Sequence, residues 1–280
     1  MRNRPDRDEN PGESSDVSTS FYVTQGTSQQ GQEVFSSLPT TAGPWSTDSQ
    51  HGSPPAALLA RAIERLDTAA DRVLGRFTME LLGPVPVGPL SVAAEVVRPG
   101  RNVELCEAVL YDEDRGRAVA RAAGWRFPVS TPGPRQQRDA PAHGPQHGET
   151  HERPGSWSGG YLDAVEWRWV EGAVTDPGPA LVWMRPRVAL VEGEAMSPVQ
   201  RLLSCVDSAS GVSAELDPAS WAFLNTELTV HVLRPPAGDW VCLAAETTLG
   251  EGSVGVATSA VYDAQGLVAR SAQALLVAPR

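Results

Sequence analysis

The sequence contains one segment twice. Residues 78–112 align with residues 229–263 at a constant shift of 151 positions, without a gap. Nine positions are identical, including Ala93–Glu95 with Ala244–Glu246 and the Tyr-Asp pair that closes each segment. Chance similarity between two Ala/Val-rich segments would rarely hold one register across several predicted strands and turns. The repeat therefore predicts two similar halves, and the differences between them indicate where a site should be sought.

Each half has the pattern of a helix followed by strands. The segment GSPPAALLARAIERLDTAADRVL predicts a long helix, with Ser53 as N-cap, Pro54 at the first helical position and apolar residues at helical spacing. A second helix is predicted over 197–208, with the same Ser-Pro start. Residues 21–50 favour one or two short strands, and YLDAVEWRWVEG and ALVWMRPRVALVEG are also typical of strands. The predicted meanders cover 76–82, 89–98, 102–112 and 117–127, and then 224–234, 239–249, 252–263 and 266–278.

This order of elements predicts the α+β class. We divide the chain into a disordered tail (1–20), an N-terminal unit (21–128), a disordered linker (129–156) and a C-terminal unit (157–280). The linker prediction depends on composition, because STPGPRQQRDAPAHGPQHGETHERPGS has almost nothing apolar to bury.

Composition and motifs exclude several functions. A net charge of −11 without a basic stripe disfavours nucleic-acid binding. No apolar run approaches the ~18 residues of a membrane span, and the amino terminus lacks a secretory signal. Three scattered cysteines without a CxxC pair argue against a disulfide framework and a zinc site, so a reducing cytoplasm fits best. Without a phosphate loop, GxSxG or HExxH, nucleotide hydrolysis, a serine-hydrolase mechanism and zinc peptidase chemistry have no sequence support. We predict a reaction that uses no metal and no cofactor.

Two stretches carry a family resemblance. GPWSTDSQHGSPPAALLARAIERL and SPVQRLLSCVDSASGVSAELDPASWAFLNTELTVHVLRPPAGDWVCLAAET resemble the acyl-CoA thioesterase-like family, which is related to acyl-CoA thioesterase II. The resemblance covers about 33–128 and 160–278. It implies a double hotdog: two tandem antiparallel sheets, each wrapped around a helix and packed together as a pseudo-dimer. It also implies an acyl-CoA or acyl-carrier thioester as substrate, and a homo-oligomer.

The resemblance also implies site residues. The family's Asp, late in the second helix, falls on Asp207, and its Gln, in the last strand, falls on Gln273. The family's Thr position falls on Asn225, which is a departure. Thioester hydrolysis needs a base for water and groups that orient it, and a carboxylate with two side-chain amides can supply both.

Two neighbours of these residues are further candidates. In an extended strand Asn225 and Thr229 share one face, while Thr226 lies on the other, so Thr229 is expected to join the site and Thr226 is not. His51 precedes the first helix and could meet a thioester or a phosphate there. Gln273 aligns with Gly124 after a two-residue gap, and Asn225 aligns with Leu74, which predicts one site built mainly from the second half.

Three functions stay open from the sequence. The first is a cofactor-free acyl-thioester hydrolase in which Asp207 is the base. The second is a hotdog dehydratase, hydratase or other tailoring enzyme of acyl or polyketide metabolism, which an essential His51 would favour. The third is a non-catalytic acyl-binding module. The sequence does not specify acyl length or the carrier, and the compositional bias of a high-GC bacterial source does not help to choose.

Overall fold

The computed structural model describes residues 19–67, 71–129, 139–153 and 157–280. Most of the predicted tail and part of the predicted linker lie outside these residues. The first half contains β1 (Ser20–Thr27), β2 (Glu33–Ser37), β3 (Ala42–Gly43), β4 (Ser46–Gln50), α1 (Ser53–Glu64), β5 (Arg72–Leu81), β6 (Pro89–Arg98), β7 (Glu104–Asp112) and β8 (Arg117–Pro128). The second half contains α2 (Gly160–Ala164), β9 (Val165–Glu171), β10 (Ala180–Pro186), β11 (Ala189–Val191), α3 (Pro198–Val206), α4 (Ala209–Val212), β12 (Trp221–Asn225), β13 (Glu227–Val232), β14 (Val241–Leu249), β15 (Val254–Asp263) and β16 (Gly266–Pro279).

The two helix starts differ in their caps. At α3, the Ser197 hydroxyl accepts a hydrogen bond from the Gln200 amide at 3.1 Å, and the Gln200 side chain accepts one from the Ser197 amide. This capping box agrees with the predicted start at Ser197. At α1, the N-cap is Gly52, so the prediction of Ser53 as the cap is wrong. The predicted length of α1 is also wrong, because Arg72 and its successors pair with β8 as a strand.

The main sheet of the described chain has fourteen strands, ordered β11-β1-β2-β6-β7-β8-β5-β13-β16-β15-β14-β10-β9, with β12 also paired to β16. The sequence β1-β2-β6-β7-β8-β5 in the first half has its counterpart, in reverse, in β13-β16-β15-β14-β10-β9. All neighbours are antiparallel except β1 and β11. The predicted strands are therefore confirmed, and the halves join through β5 and β13. The predicted four-strand meanders are wrong in one respect, because only β6-β7-β8 and β14-β15-β16 follow chain order, whereas β5 and β13 pair with β8 and β16, the last strand of each half.

The junction between the halves follows the repeat. Thr78 and Thr229, which the 151-residue shift makes equivalent, lie directly opposite each other in the β5–β13 pair. Their hydroxyl oxygens are 3.2 Å apart. The flanking pairs show the same relation. Glu80 faces Glu227, and their equivalents His231 and Arg76 also face each other. A two-fold relation between two copies of one unit requires this kind of pairing.

Helices α1 and α3 pack against each other and against strands of the main sheet, and they run in opposite directions. At the end of α1, the Glu64 carboxylate accepts hydrogen bonds from Ser197 and Gln200 at the start of α3. At the other end, Gly52 before α1 meets Asp207 after α3. The antiparallel packing thus brings the amino-terminal end of α1 to the carboxyl-terminal end of α3, where the candidate residues lie.

A buried arginine strengthens this arrangement. Arg61 of α1 is 2% exposed, and its guanidinium bonds the carboxylates of Glu33 on β2 and Glu194 after β11. Burying a charge is tolerated when it is paired and hydrogen-bonded in this way. The pairing ties α1 to segments from both halves.

Part of the predicted disordered linker has a defined path. Residues Pro145–His147 form a single 3-10 turn, and the backbones of Glu149 and Trp169 exchange two hydrogen bonds of 2.8 Å. The Trp183 indole N–H also donates to the His143 carbonyl at 3.0 Å. The prediction of disorder is therefore wrong for 139–153, because main-chain pairing with β9 replaces the apolar contacts that the segment lacks.

No helix within the described ranges is long and apolar enough to cross a membrane.

Candidate active site

Asp207 is a buried carboxylate at the end of α3. Its side chain is 4% exposed. Oδ1 accepts hydrogen bonds from Asn225 Nδ2 at 2.7 Å and from Gln273 Nε2 at 2.9 Å. The Gly52 amide also donates to this carboxylate. The three residues that the sequence placed at a site therefore form one hydrogen-bonded group, to which Gly52 is added.

Burial sets the proton affinity of Asp207. It raises the pKa of the carboxyl from 3.8 to about 7, because the charged form is poorly solvated, and the negative charge of Glu227 acts in the same direction. The donors on Asn225, Gln273 and Gly52 oppose this shift, since they favour the ionised form. Near neutral pH Asp207 can thus both accept and release a proton.

Gln273 has a fixed orientation. Its Oε1 accepts a 3.2 Å hydrogen bond from the Ser210 amide of α4, so Nε2 is directed to Asp207, where it reaches both the side chain and the carbonyl. Gln273 is fully buried in β16. An amide that is bonded at both ends cannot flip without losing one partner, and it therefore holds the carboxylate in place.

A bulge in the strands brings Asn225 into reach. Asn225 pairs with Leu275, whereas Thr229 pairs with Ala272, so one extra residue lies between β12 and β13 opposite β16. The first half has the same irregularity between Leu74 and Arg76. Bulges of this kind redirect side chains next to active sites.

The same bulge explains two incorrect expectations. Strict alternation puts Thr229 with Asn225 and Thr226 on the opposite face, but the extra residue reverses the alternation between them. Thr226 lines the cavity described below. Thr229 instead donates to Glu227 at 2.9 Å and contacts Thr78, so it lies at the junction rather than beside Asp207.

The matching positions in the first half are apolar. Thr78 pairs with Ala123 and Thr229 with Ala272, which makes Gly124 the counterpart of Gln273, as the sequence predicted. A side chain on Gly124 would begin 2.8 Å from Leu74 Cδ1 and 3.2 Å from Ile63 Cδ1. Leu74 occupies the position of Asn225, so these carbons fill the space where the second half has amides.

Gly52 is a candidate site residue that the sequence did not indicate. A Cβ at this position would lie 2.8 Å from Asp207 Cγ and closer still to Oδ2. Only a residue without a side chain allows this backbone to approach the carboxylate. No local sequence signal marked it, because its approach to Asp207 depends on how α1 packs against α3.

His51 lies beside Asp207 as a neutral ring. Burial lowers its pKa to about 3. Its Nδ1 accepts a 3.1 Å hydrogen bond from the Ser53 amide, which leaves the proton on Nε2. The distance of 3.8 Å between Nδ1 and Asp207 Oδ2 is therefore a contact between a neutral ring and a carboxyl. His51 stacks on Tyr161, with ring centroids 3.8 Å apart, and no sequence signal pointed to Tyr161.

Asp207, Asn225 and His51 border one cavity of about 810 Å³. The first half contributes its 43–52 and 81–85 segments, and the second half contributes residues on α4, β9 and β12. His151 and Arg153, from the segment predicted as a linker, also line the cavity. The cavity therefore needs both halves, and its volume lies in the range of small-molecule sites.

Two family models match the sequence, one for the acyl-CoA thioesterase N-terminal domain over residues 41–127 and one for the acyl-CoA thioesterase C-terminal domain over residues 138–277. The chain belongs to the acyl-CoA thioesterase family. As a member it is a thioester hydrolase, and the family resemblance seen in the sequence is confirmed. No significant match occurs among curated proteins.

Solved structures agree on the fold of this thioesterase. A Thermobifida fusca protein provisionally assigned as a thioesterase II has a TM-score of 0.72 at 22% identity, over 93% of this chain and 96% of its own. A conserved hot dog protein of unknown function from Alicyclobacillus acidocaldarius gives 0.70 at 15% identity, over 88% and 93%. An acyl-CoA thioesterase II from Mycobacterium marinum gives 0.62 at 14% identity, over 88% and 92%. The thioesterase thus has the hotdog fold.

Proposed function

We propose that this thioesterase hydrolyses acyl-CoA thioesters with a water molecule activated by Asp207, and that Asn225 and Gln273 orient the carboxylate. The observation that carries the proposal is a buried carboxyl with a pKa of about 7 on the wall of a cavity, fixed by two amide side chains. A general base works best when its pKa lies near the working pH.

The reaction begins with a water held between Asp207 and the thioester carbonyl. Ionised Asp207 takes a proton as the water oxygen bonds to the carbonyl carbon, and negative charge develops on the carbonyl oxygen. When this intermediate collapses, the carbon–sulfur bond breaks and protonated Asp207 can return its proton to the departing thiolate. The products are a carboxylic acid and a free thiol, and Asp207 is ionised again.

The developing oxyanion needs a donor, and His51 is the best placed one. The backbone amides at the start of α1 are already engaged, because Gly52 donates to Asp207 and Ser53 to His51, while Pro54 and Pro55 have no N–H. Neutral His51 retains its Nε2–H. A fixed neutral donor of this type stabilises an oxyanion without being a competing acid.

The same tautomer argues against dehydratase chemistry. A hotdog dehydratase would use a histidine as base, but the Nδ1 lone pair of His51 is occupied by the Ser53 amide and its Nε2 already carries a proton. The low pKa of His51 also reflects an environment that opposes its protonation. Asp207 remains the group at this site whose proton affinity suits base catalysis.

We also propose that the two halves are diverged copies of one hotdog unit, packed as a pseudo-dimer. The facing of Thr78 and Thr229 across the sheet supports this arrangement, as do the equivalent bulges in both halves. In this arrangement the second-half site is active and its first-half counterpart is filled by apolar carbon.

Release of free coenzyme A from a panel of acyl-CoA thioesters tests the proposed reaction. We expect time-dependent thiol release from at least one ester of the short-chain, medium-chain, long-chain and aromatic set. Thermal stabilisation by an acyl-CoA without any thiol release would instead indicate an acyl-binding module. Formation of an unsaturated thioester from a hydroxyacyl-CoA would indicate a dehydratase.

The pH dependence of kcat/KM tests Asp207 as base. Because the ionised form is active and its pKa is about 7, kcat/KM should fall about tenfold per pH unit below about 7 and be level above it. His51 should not contribute in this range, since its pKa is about 3. A profile that is flat from about pH 5 to pH 8 would contradict the assignment.

The variant Asn225→Leu refines the pH experiment. It removes a donor that favours the ionised carboxylate, so the midpoint of the profile should move above that of the wild type. Thr258→Val, at an exposed position of β15 that does not border the cavity, serves as the control, for which the midpoint should stay in place.

A further inference from the structure

Aromatic side chains are concentrated around the cavity. Four of the eight tryptophans in the chain border it, namely Trp45, Trp157, Trp167 and Trp169, together with Phe223. The chain as a whole is only 6% aromatic. The reaction proposed above uses none of these rings, so their collection in one cavity requires a separate explanation.

The first group of rings lies on β9. Trp167 and Trp169 are two residues apart on one face of the strand, with ring centroids 6.5 Å apart and planes within 16° of parallel. The Trp167 indole N–H donates to the Leu162 carbonyl at 2.9 Å, which fixes its ring. His151 meets the Trp169 ring edge-on at 6.2 Å. These contacts hold the rings of Trp167 and Trp169 in place on the β9 side of the cavity.

This first group continues to the reacting centre. Trp167 contacts Tyr161 at a centroid distance of 6.3 Å, and Tyr161 stacks on His51 beside Asp207. Tyr161 itself is fully buried and does not border the cavity, so it supports Trp167 and His51 from behind, and those two side chains border the cavity together with Asp207. Because the Tyr161 ring alone separates Trp167 from His51, a substituent that contacts Trp167 must be attached close to the carbonyl carbon.

The second group begins next to Asn225. Phe223 precedes Asn225 by two positions in β12 and so lies on the same face. Its ring meets Trp45 edge-on at 5.1 Å, and Trp45 meets Trp157 in the same manner at 6.2 Å. Phe223 and Trp157 are both less than 10% exposed. Phe223 is thus two positions from Asn225, and Trp167 is one ring from His51, so both groups of rings start close to Asp207.

We propose that the acyl group of the substrate is aromatic, with a planar ring one or two carbons from the thioester carbonyl. This inference rests on the proposed thioester hydrolysis. A planar acyl ring can make edge-on and offset contacts with fixed aromatic rings in addition to burying its area. A linear alkyl chain of equal carbon number gains only the burial and loses the freedom of several rotatable bonds.

The other substituent of the thioester fits these walls less well. The pantetheine arm of coenzyme A carries two amides, and each needs hydrogen-bond partners when it is buried. Indole and phenyl faces do not supply such partners. The acyl group is therefore assigned to the ring-lined part of the cavity.

Three esters with eight acyl carbons test the inference: phenylacetyl-CoA, cyclohexylacetyl-CoA and octanoyl-CoA. They share coenzyme A, so their relative kcat/KM values report on the acyl group alone. We expect phenylacetyl-CoA to exceed the other two by about tenfold, the effect of one or two ring contacts. In Trp167→Leu and Trp169→Leu this preference should shrink to about twofold or less, because a ring contact is lost.

Trp125→Leu is the matched control, since Trp125 lies on β8, contacts Arg98 and does not border the cavity. It should keep the wild-type preference. Equal kcat/KM for the three esters in the wild type would overturn the inference while leaving thioester hydrolysis intact. A uniform loss for all three esters in the β9 variants would also overturn it, because the rings would then hold the coenzyme. Hydrolysis of none of the panel would count against the proposed function itself.

Discussion

The variant Asp207→Asn is expected to lower kcat/KM for acyl-CoA hydrolysis by about 10²- to 10⁴-fold, the usual loss when a positioned general base is removed. Asparagine has nearly the same shape and can still accept hydrogen bonds from Asn225 and Gln273. It cannot take a proton from water. Initial rates of thiol release, compared at a pH above the Asp207 pKa, provide the measurement.

The same substitution should make the protein more stable at alkaline pH. Asp207 has a pKa of about 7 when folded and about 3.8 when unfolded, so folding binds a proton between these values and stability falls as pH rises through this window. Above pH 7 the cost is on the order of 4 kcal/mol. A neutral asparagine avoids this cost. Its amide N–H then faces the Gly52 N–H, and these two facing donors cost about 1–3 kcal/mol.

Thermal unfolding at two pH values separates these effects. At about pH 8 Asp207→Asn should have a higher Tm than the wild type, and the difference should disappear near pH 5. Asp239→Asn, which removes an exposed carboxylate 3.5 Å from Arg201, is the control and should change neither activity nor Tm appreciably. An Asp207→Asn protein that folds and retains full turnover would remove Asp207 from the reaction.

Gly52→Ala is expected to lower kcat/KM by about 10²-fold, because a methyl group at this position overlaps the Asp207 carboxylate and displaces the base. The loss should appear mainly in kcat, since the aromatic walls that are proposed to hold the acyl group are unchanged. Steady-state kinetics with one good ester will show the division between kcat and KM.

Gly88→Ala is the matched control, because a Cβ at Gly88 meets nothing within 4 Å and the backbone there has no positive φ. It should keep wild-type kinetics. If Gly52→Ala retained wild-type kcat, the close approach of this backbone to Asp207 would have no part in catalysis.

The repeat and its strands could be predicted because they depend on local patterns. The meanders alternate apolar and polar residues between Gly- and Pro-containing turns, and the 151-residue shift anticipates the facing of Thr78 and Thr229. The placement of Asp207 and Gln273 came from family resemblance. Their hydrogen bonds to each other agree with that placement.

The errors arose where tertiary contacts override local patterns. The sequence placed Thr229 at the site and Thr226 on the opposite face, and the structure shows the reverse. Alternation assumes an unbroken strand, and a one-residue bulge is not visible in the sequence. The 139–153 segment looked too polar to order, yet it pairs through its backbone with β9. The role of Gly52 depends on how α1 meets α3, which is a long-range contact.

The apolar filling around Gly124 has a consequence for how such a chain can change. In a symmetric homodimer any substitution appears in both subunits, so a glycine in place of the site glutamine would remove both centres at once. In the proposed arrangement of two fused copies, the halves are free from this constraint. Leu74 and Gly124 could then be selected for support alone, while Asn225 and Gln273 kept their amides, and each polypeptide would carry a single reacting centre with a dedicated scaffold.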